Sequence, residues 1–157
     1  VRENDEVIGI VTKSDLIKVL KGSNRKVKEF MSKHVTHLQV GARVLEARKL
    51  MLEKGIKRIP ILKGEEIVGI VTERDIAKAL GLFRKVAEGK QWDEKLRRIK
   101  VEDIMRSPVI TVSPEDSLEK VVRIMEEKGI SGLPVVEDGK LVGIITKTDL
   151  VRAVAEG

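Results

Sequence analysis

A threonine followed three residues later by an aspartate occurs three times in this sequence, each time directly after a run of apolar residues. The pairs are Thr12/Asp15, Thr72/Asp75 and Thr146/Asp149. A hydroxyl at a helix start and an acid three positions later form a capping box, but aspartate is expected to be too short to close it well. A carboxylate at that place can also accept hydrogen bonds from the two hydroxyls of a ribose, while nearby N–H groups take a phosphate oxygen. The spacing therefore has two interpretations, a helix cap and a ligand contact, and we favour ligand contact.

The surroundings of these pairs recur because most of the chain is an internal repeat. Residues 27–80 align without a gap with residues 101–154, and we name these stretches the first and the second repeat. Residues 5–20, the opening segment, match only the last part of the repeated unit. The repeat is the main organising feature of the sequence, and a functional hypothesis has to account for it.

Hydrophobic periodicity predicts the order β-α-β-β-α in each repeat, and hence a fold of the α/β class, α+β type. For the first repeat we expect a leading turn at Val27–Met31, a strand at Val35–Val40, a helix at Arg43–Lys54, strands at Ile59–Leu62 and Ile67–Val71, and a helix at Glu73–Leu80. For the second repeat we expect a helix capped by Ser113, strands at Leu133–Val136 and Leu141–Ile145, and a helix at Lys147–Ala155. A repeat this small is marginally stable alone, so we expect the two repeats to pack together.

Composition narrows the function classes that the 157-residue chain can serve. The net charge is +6, and seven basic residues against three acidic ones lie between residues 84 and 100. That excess is typical of a solvated surface, and alternatively it attracts the phosphates of a nucleotide or a nucleic acid. Only three side chains are aromatic, which leaves few stacking platforms for single-stranded nucleic acid, and Trp92 is expected to anchor the stretch between the repeats.

Several kinds of chemistry are not expected from these residues. The two histidines, His34 and His37, have no cysteine or carboxylate cluster at metal-ligand spacing, so we predict no metal site. No nucleophile–base set and no glycine-rich phosphate loop is visible, so we predict that the chain is not an enzyme. The absence of cysteine and of an apolar run of about 18–20 residues leads us to expect a cytoplasmic protein with no membrane partner.

The motif around the threonine–aspartate pairs resembles the CBS domain, named after cystathionine β-synthase. The resemblance is carried by Gly55-Ile56, Pro60 and Val68-Gly69-Ile70, and again by Gly129-Ile130, Pro134 and Val142-Gly143-Ile144. It implies two β-α-β-β-α units packed about a pseudo-two-fold axis, a Bateman module, which in this family commonly dimerises. It also implies the boundaries: residues 1–24 as the end of a preceding truncated repeat, 25–80 and 101–157 as CBS units, and 81–100 as a basic linker.

The resemblance further implies regulation by an adenosyl ligand (AMP, ADP, ATP or a relative of S-adenosylmethionine), with no cofactor required. One cleft is expected to hold Thr146 and Asp149 with His37, Lys57, Arg58, Ile59 and Pro60. The other is expected to hold Thr72 and Asp75 with Thr111, Ser131, Gly132, Leu133 and Pro134.

The two expected clefts differ in charge. Lys57-Arg58 resembles the basic pair that meets nucleotide phosphates in the γ subunit of AMP-activated protein kinase, whereas Ser131-Gly132 is neutral. We therefore expect the cleft with Lys57 and Arg58 to take the phosphorylated ligand, the alternative being that both are exposed charges at a strand start. The expected partners are a small adenosyl molecule, a second copy in a homodimer, and a fused or partner effector domain. Nucleic-acid binding through the basic linker and a ligand-free dimerisation scaffold remain as alternatives.

Overall fold

The computed structural model describes the backbone of residues 1–86 and 90–157 and the side chains of residues 1–81 and 93–157. Its strands are β1 (Arg2–Glu3), β2 (Glu6–Val7), β3 (Leu38–Gln39), β4 (Arg58–Lys63), β5 (Glu66–Thr72), β6 (Gly132–Glu137) and β7 (Lys140–Thr146). Its helices are α1 (Lys13–Ile17), α2 (Val44–Lys54), α3 (Glu73–Val86), α4 (Lys90–Arg98), α5 (Leu118–Lys128) and α6 (Lys147–Ala155). Single 3-10 turns lie at Lys18–Leu20, Val27–Glu29 and Val101–Asp103. The expected mixed fold of the α+β type is confirmed. The predicted anchor, the Trp92 side chain, lies outside the described residues.

The chain forms two compact units whose limits differ from those of the repeats. Unit 1 comprises residues 1–35, 111–137 and 142–157, and unit 2 comprises residues 36–110 and 138–141. The leading residues 27–35 of the first repeat therefore belong to the unit that contains most of the second repeat. Likewise, the leading residues 101–110 of the second repeat belong to the unit that contains most of the first. The two repeats thus exchange their leading segments.

Unit 2 is built on a three-stranded sheet in the order β3-β4-β5. Strand β3 runs parallel to β4, and β4 is antiparallel to β5 across a two-residue turn. Helix α2 is capped by Gly55, whose φ of 64° is the left-handed conformation that glycine adopts readily, and its end at Lys54 is the predicted one. The core of the unit is aliphatic and consists of Val44, Ala47, Met51, Ile59, Ile61, Val71, Ile76, Leu96, Ile99 and Val101.

Unit 1 repeats this arrangement with β6 and β7, which form a hairpin. The counterpart of β3 is reduced to one parallel bridge, in which the Val112 N–H donates to Pro134 O at 3.1 Å and the Val136 N–H donates to Val112 O at 2.8 Å. The core is again aliphatic apart from Phe30, and Ile17 and Leu20 of the opening segment belong to it. The opening segment is therefore an integral part of this unit.

The opening segment begins inside a short hairpin that the sequence did not predict. Strands β1 and β2 pair around Asn4 and Asp5, which have φ values of 50° and 65°. Two successive residues with positive φ are the signature of the tight turn that suits a hairpin, and asparagine and aspartate tolerate it. Helix α1 lies against α6, where Lys13 Nζ donates to Thr148 Oγ1 and Lys147 Nζ donates to Ser14 Oγ, both at 2.9 Å.

The glycine in each Val-Gly-Ile strand lies under the methionine of an exchanged leading segment. A Cβ built on Gly143 would lie 2.8 Å from Met31 Sδ and 2.9 Å from Ser32 O, and a Cβ on Gly69 would overlap the side chain of Met105. No side chain fits in that space. The glycines of the motif are therefore explained by the close approach of the leading segment.

Helix α5 begins later than the sequence predicted. Its cap is Ser117, whose Oγ accepts the Lys120 N–H at 3.2 Å, and Ser113 lies in a separate turn. The carbonyls of Pro114 and Asp116 accept the N–H groups of the leading turn, at 3.0 and 2.9 Å, so they are not available to an earlier helical turn. The predicted strand at residues 35–40 likewise shortens to β3, and the predicted helix at residues 73–80 extends to residue 86.

Candidate functional site

All three threonine–aspartate pairs form closed capping boxes at the start of a helix. Oδ2 of the aspartate accepts the threonine N–H, at 3.0 Å in Asp15 and Asp75 and at 2.9 Å in Asp149. The threonine Oγ1 accepts the aspartate N–H in return, at 3.3, 3.2 and 3.4 Å respectively. The expectation that aspartate is too short to close the box was wrong. The extended backbone at Thr12 and Thr146 turns the N–H group towards the carboxylate.

Each box uses one carboxylate oxygen, and the environment of the other oxygen, Oδ1, differs between copies. Oδ1 of Asp75 accepts a hydrogen bond from Arg106 Nε at 3.0 Å. Oδ1 of Asp149 lies 3.8 Å from Nη2 of Arg152, which is beyond hydrogen-bond distance. That Arg152 nitrogen donates instead to Phe30 O at 2.7 Å. A helix cap and a ligand contact are therefore compatible at Asp149, because the cap leaves one oxygen for a further donor.

Asp75 is the buried charged residue of the described chain, with a side chain that is 9% exposed. Burial by itself raises the pKa of its carboxyl group, because a charge is poorly solvated there. The hydrogen bonds from the Thr72 N–H and hydroxyl and from Arg106 outweigh this effect, so the pKa of Asp75 lies below its usual range. The carboxylate is consequently ionised at neutral pH and is stabilised as an anion by the groups that hold it.

In unit 2 the structure brings the box of the first repeat next to its own strand-start segment, Lys57–Pro60. The Glu73 N–H, inside the box, donates to Lys57 O at 2.8 Å, and Arg58 lies opposite Thr72 in the register of β4 and β5. The Lys57 side chain is exposed and that of Arg58 is half-buried, while Ile59 and Pro60 are buried. The segment therefore presents two cations at the edge of an apolar surface. We name Thr72, Asp75 and Lys57–Pro60 the Asp75 half-site.

Unit 1 contains the equivalent arrangement in the second repeat. The Lys147 N–H donates to Ser131 O at 3.0 Å, which places the start of Ser131–Pro134 beside the box of Thr146 and Asp149. Gly132, Leu133 and Pro134 are buried, and Ser131 is exposed. We name these residues the Asp149 half-site.

The last two predicted residues flank the strands that lead to these segments. Thr111 is half-buried and directly precedes Val112, which bridges to the strand of Pro134 in unit 1. His37 is exposed and directly precedes β3 in unit 2. The predicted sharing of one cleft by Thr146 and Asp149 with Lys57 and Arg58 concerns residues of different units and stays a prediction, as does its counterpart around Asp75.

Sequence reasoning missed Arg106, which is the partner of Asp75. It lies 31 positions after the aspartate in the chain, so no local pattern connects the two residues. The alignment of the repeats carried one signal, since the residue equivalent to Arg106 in the first repeat is Ser32. A charge at one copy of a repeat and a small polar residue at the other marks a difference between the two sites.

Within residues 1–81 and 93–157, whose side chains the structure describes, no three histidine, cysteine, aspartate or glutamate side chains cluster closely enough to hold a metal ion. None of the helices described there is both long enough and apolar enough to cross a membrane.

Comparison with known proteins agrees with this geometry. The model of the CBS domain family matches residues 27–82 and 101–156. Protein MJ1225 of Methanocaldococcus jannaschii, which is proposed to be an archaeal homologue of γ-AMPK, is 31% identical over 95% of this chain. Its crystal structure superposes on this chain with a TM-score of 0.82. The CBS domain pair of protein MJ0100, in complex with 5′-methylthioadenosine and S-adenosyl-L-methionine, is 30% identical with a TM-score of 0.70, over 84% of this chain and 97% of that one. The CBSX2 protein in complex with AMP is 28% identical with a TM-score of 0.69, over 83% of this chain and 96% of that one.

The chain spans about half the length of the curated relatives it matches, with 56% of MJ1225 and 51% of a protein from Thermofilum pendens. In relatives named as enzymes, the match covers a smaller part of the relative's own length, such as 25% of a homoserine O-acetyltransferase from Methanohalobium evestigatum. The similarity therefore lies in the repeated module. With two family matches, two closed boxes in equivalent places and the fold of known CBS domain pairs, the chain belongs to the CBS domain family.

Proposed function

We propose that this chain is a regulatory module that binds an adenosyl ligand, whose ribose hydroxyls donate hydrogen bonds to Oδ1 of the box aspartates. The observation that carries the proposal is the geometry of Asp149. The box uses its Oδ2, and among the described residues no donor lies within 3.5 Å of its Oδ1. The Asp149 side chain is only 16% exposed, so a ligand donor there replaces little hydration and forms a charge-assisted hydrogen bond.

The surroundings of the boxes supply the other contacts that an adenosyl ligand requires. Ile59 and Leu133 are buried aliphatic residues of the strand-start segments, and the backbone beside them can pair with the edge of an adenine. Lys57 gives the Asp75 half-site an exposed cation, which favours phosphate-bearing ligands. Together these features fit a ligand with an apolar base, a diol and an anionic or polar tail.

The ligands of two structural neighbours support the proposed ligand class. One neighbour holds 5′-methylthioadenosine and S-adenosyl-L-methionine, and another holds AMP, so both carry an adenosine moiety. A melting experiment should therefore include AMP, ADP, ATP, S-adenosylmethionine and methylthioadenosine, with guanosine monophosphate as the mismatched base. A ligand present at 100 times its dissociation constant stabilises the folded protein by about 2.7 kcal/mol. We expect at least one adenosyl ligand, and not the guanosine control, to raise the melting temperature.

The substitution Asp149→Asn separates a ligand contact from a simple helix cap. Asparagine has the same shape, and its one oxygen can still close the box with Thr146, so stability is largely kept. Its amide presents donors where the ribose also presents donors, so ligand affinity at this half-site should fall about 10-fold or more. Unchanged affinity for every ligand in this variant and in Asp75→Asn would overturn the proposed role of the boxes.

Two other outcomes would replace the proposal by an alternative. If no adenosyl ligand shifts the melting temperature, the module is better described as a ligand-free scaffold. If instead RNA or duplex DNA binds with an affinity that falls steeply with added salt, the basic residues near Lys95 and Arg97 become the functional surface.

Ligand binding in a regulatory module has to be transmitted to an effector. We infer that occupancy of the half-sites is communicated to a fused or partner domain, and that two copies of the chain associate as a homodimer. In the relatives named as enzymes, the matched region is a quarter or less of the length, so most of each chain lies outside it. This arrangement supports an attached effector domain. The cytoplasmic location and the absence of a membrane partner stay predictions.

A further inference from the structure

Arg106 is held at the Asp75 half-site by its backbone as well as by its side chain. The Arg106 N–H donates to Ile70 O at 2.9 Å, and the Ile70 N–H donates to Arg106 O at 3.2 Å. This bridge attaches residue 106 to β5 two positions before Thr72, where the box begins. The side chain then reaches Asp75, with Nε donating to Oδ1 at 3.0 Å. The cation is therefore a fixed feature of the half-site.

Most of the hydrogen-bonding capacity of Arg106 is unused. A guanidinium carries five N–H donors. Of those of Arg106, only the Nε donor has an acceptor among the described residues, which is Oδ1 of Asp75. The side chain is 52% exposed, whereas that of Asp75 is 9% exposed. The terminal amino groups of Arg106 thus lie beside a buried carboxylate and within reach of solvent.

The Asp149 half-site has the same backbone but no arginine that donates a hydrogen bond to Oδ1 of its aspartate. The residue equivalent to Arg106 is Ser32, which forms the same double bridge with Ile144, with both N–H···O distances at 2.9 Å. Serine is too short to span the distance that Arg106 covers. The two half-sites therefore share their framework and differ at the carboxylate. Oδ1 of Asp75 accepts a hydrogen bond from Arg106, whereas Oδ1 of Asp149 lies 3.8 Å from Arg152 Nη2 and has no hydrogen-bond donor among the described residues.

We propose that Arg106 is the residue that makes the Asp75 half-site specific for adenosyl ligands carrying a phosphate, a specificity that rests on the proposed function. A ribose hydroxyl that approaches Oδ1 of Asp75 must share this oxygen with Arg106 Nε. An uncharged ligand gains nothing further from the arginine, while a phosphate accepts hydrogen bonds from its terminal amino groups in the paired geometry that guanidinium favours. This assignment places an anionic ligand at Asp75, whereas the sequence led us to expect the phosphorylated ligand in the other cleft, with Asp149.

The test compares AMP with adenosine in the full chain by titration calorimetry. Asp149→Asn is present throughout, so that the Asp75 half-site is read alone. In this background, Arg106→Ser should weaken AMP binding about 10- to 100-fold, because charge-assisted hydrogen bonds are lost, and should leave adenosine binding unchanged or tighter. Arg106→Lys should have an AMP affinity between those of arginine and serine at this position, since lysine keeps the charge without the paired donors.

The reverse exchange serves as a matched test that does not depend on the folding of Arg106→Ser. Ser32→Arg in an Asp75→Asn background places the cation beside Asp149, and the ratio of AMP to adenosine affinity should rise about 10-fold or more at that half-site. An equal change for AMP and adenosine in both exchanges would overturn the role of Arg106 while leaving the proposed function in place. Absence of binding by either ligand to the unaltered chain would overturn the proposed function, and this inference with it.

Discussion

Arg106 and Asp75 form an ion pair at 3.0 Å that the equivalent positions of the other half-site, Ser32 and Asp149, do not form. The backbone around the two positions is the same in both half-sites, because residues 106 and 32 bridge to equivalent strand residues. Arg106 therefore adds a charge beside the carboxylate of one copy, beyond the difference between Lys57-Arg58 and Ser131-Gly132. The effect of this ion pair on stability can be measured separately from the effect of Arg58 on ligand binding.

The buried carboxylate of Asp75 should make stability depend on pH. Because the pKa of Asp75 in the folded chain is depressed, its contribution is complete above the unfolded pKa of about 3.9 and is lost as pH falls through the folded pKa. We expect Asp75→Asn to lower the free energy of unfolding at pH 7 by about 1–2 kcal/mol. The loss is not larger because solvent screens the exposed side chain of Arg106. Urea denaturation of both proteins at pH 7, 5 and 3 measures this loss of unfolding free energy. The difference from the unaltered chain should be constant between pH 7 and 5 and should shrink below about pH 4.

The matched control for this measurement is Glu127→Gln, which removes an exposed acid of α5. Its effect should stay within about 0.5 kcal/mol at pH 7. A destabilisation by Asp75→Asn that persists unchanged at pH 3 would show that the loss comes from packing and not from the ionised carboxylate.

Adding a methyl group to the motif glycines should destabilise both units. The new Cβ of Gly143→Ala would lie 2.9 Å from Ser32 O, a backbone atom fixed by the Ile144 N–H, so the chain must shift. The Cβ of Gly69→Ala would meet the flexible side chain of Met105. We expect losses of about 1–3 kcal/mol in unfolding free energy, with Gly143→Ala the more severe.

Removal of the overlying methionine distinguishes the two glycines in double-mutant cycles. Met105→Ala should recover about 1 kcal/mol or more of the loss caused by Gly69→Ala, because it removes the clashing atoms. Met31→Ala should recover less at Gly143, because the carbonyl of Ser32 remains in place. Strictly additive effects at Gly69 and Met105 would argue against a contact between them.

The opening segment should contribute measurably to the stability of unit 1. Ile17 has no exposed surface and belongs to the core formed with the second repeat, while Val19, in the adjoining turn, is 68% exposed. Ile17→Ala should therefore cost about 2–4 kcal/mol of unfolding free energy. Val19→Ala, a matched truncation on the outside, should change it by about 0.5 kcal/mol at most. Similar effects of both substitutions would mean that the segment is not packed in solution.

The basic pair at the start of β4 should be tested with two ligands. If Arg58 contacts the phosphate, Arg58→Ala should weaken AMP binding about 10-fold or more and change adenosine binding much less. Calorimetric titration of both ligands against both proteins measures the ratio, with Lys63→Ala, at the exposed far end of the same strand, as the control. Equal losses for AMP and adenosine would assign Arg58 to the structure of the half-site and not to the phosphate.

Much of the fold could be predicted because its signals are local. The glycine C-cap at Gly55 and the hairpin turn at Asp138-Gly139 depend on residues close in the chain. The first directly follows the predicted end of the helix at Lys54, and the second lies between the two strands predicted for the second repeat. The start of α5 could not be predicted in this way. Ser113 has the features of a cap, but the carbonyls that follow it are taken by the leading turn at Val27 and Lys28, which is distant in sequence.

The sequence by itself determined the repeat, the order of strands and helices within it, the motif of the CBS family and the positions of the three threonine–aspartate pairs. Only the tertiary structure decided that the repeats exchange their leading segments and that Arg106 pairs with Asp75. The physical reason is the range of the interactions. Periodicity, capping and turn conformation act over a few residues, whereas the partner of a buried charge is selected by which side chains the fold brings within about 3 Å.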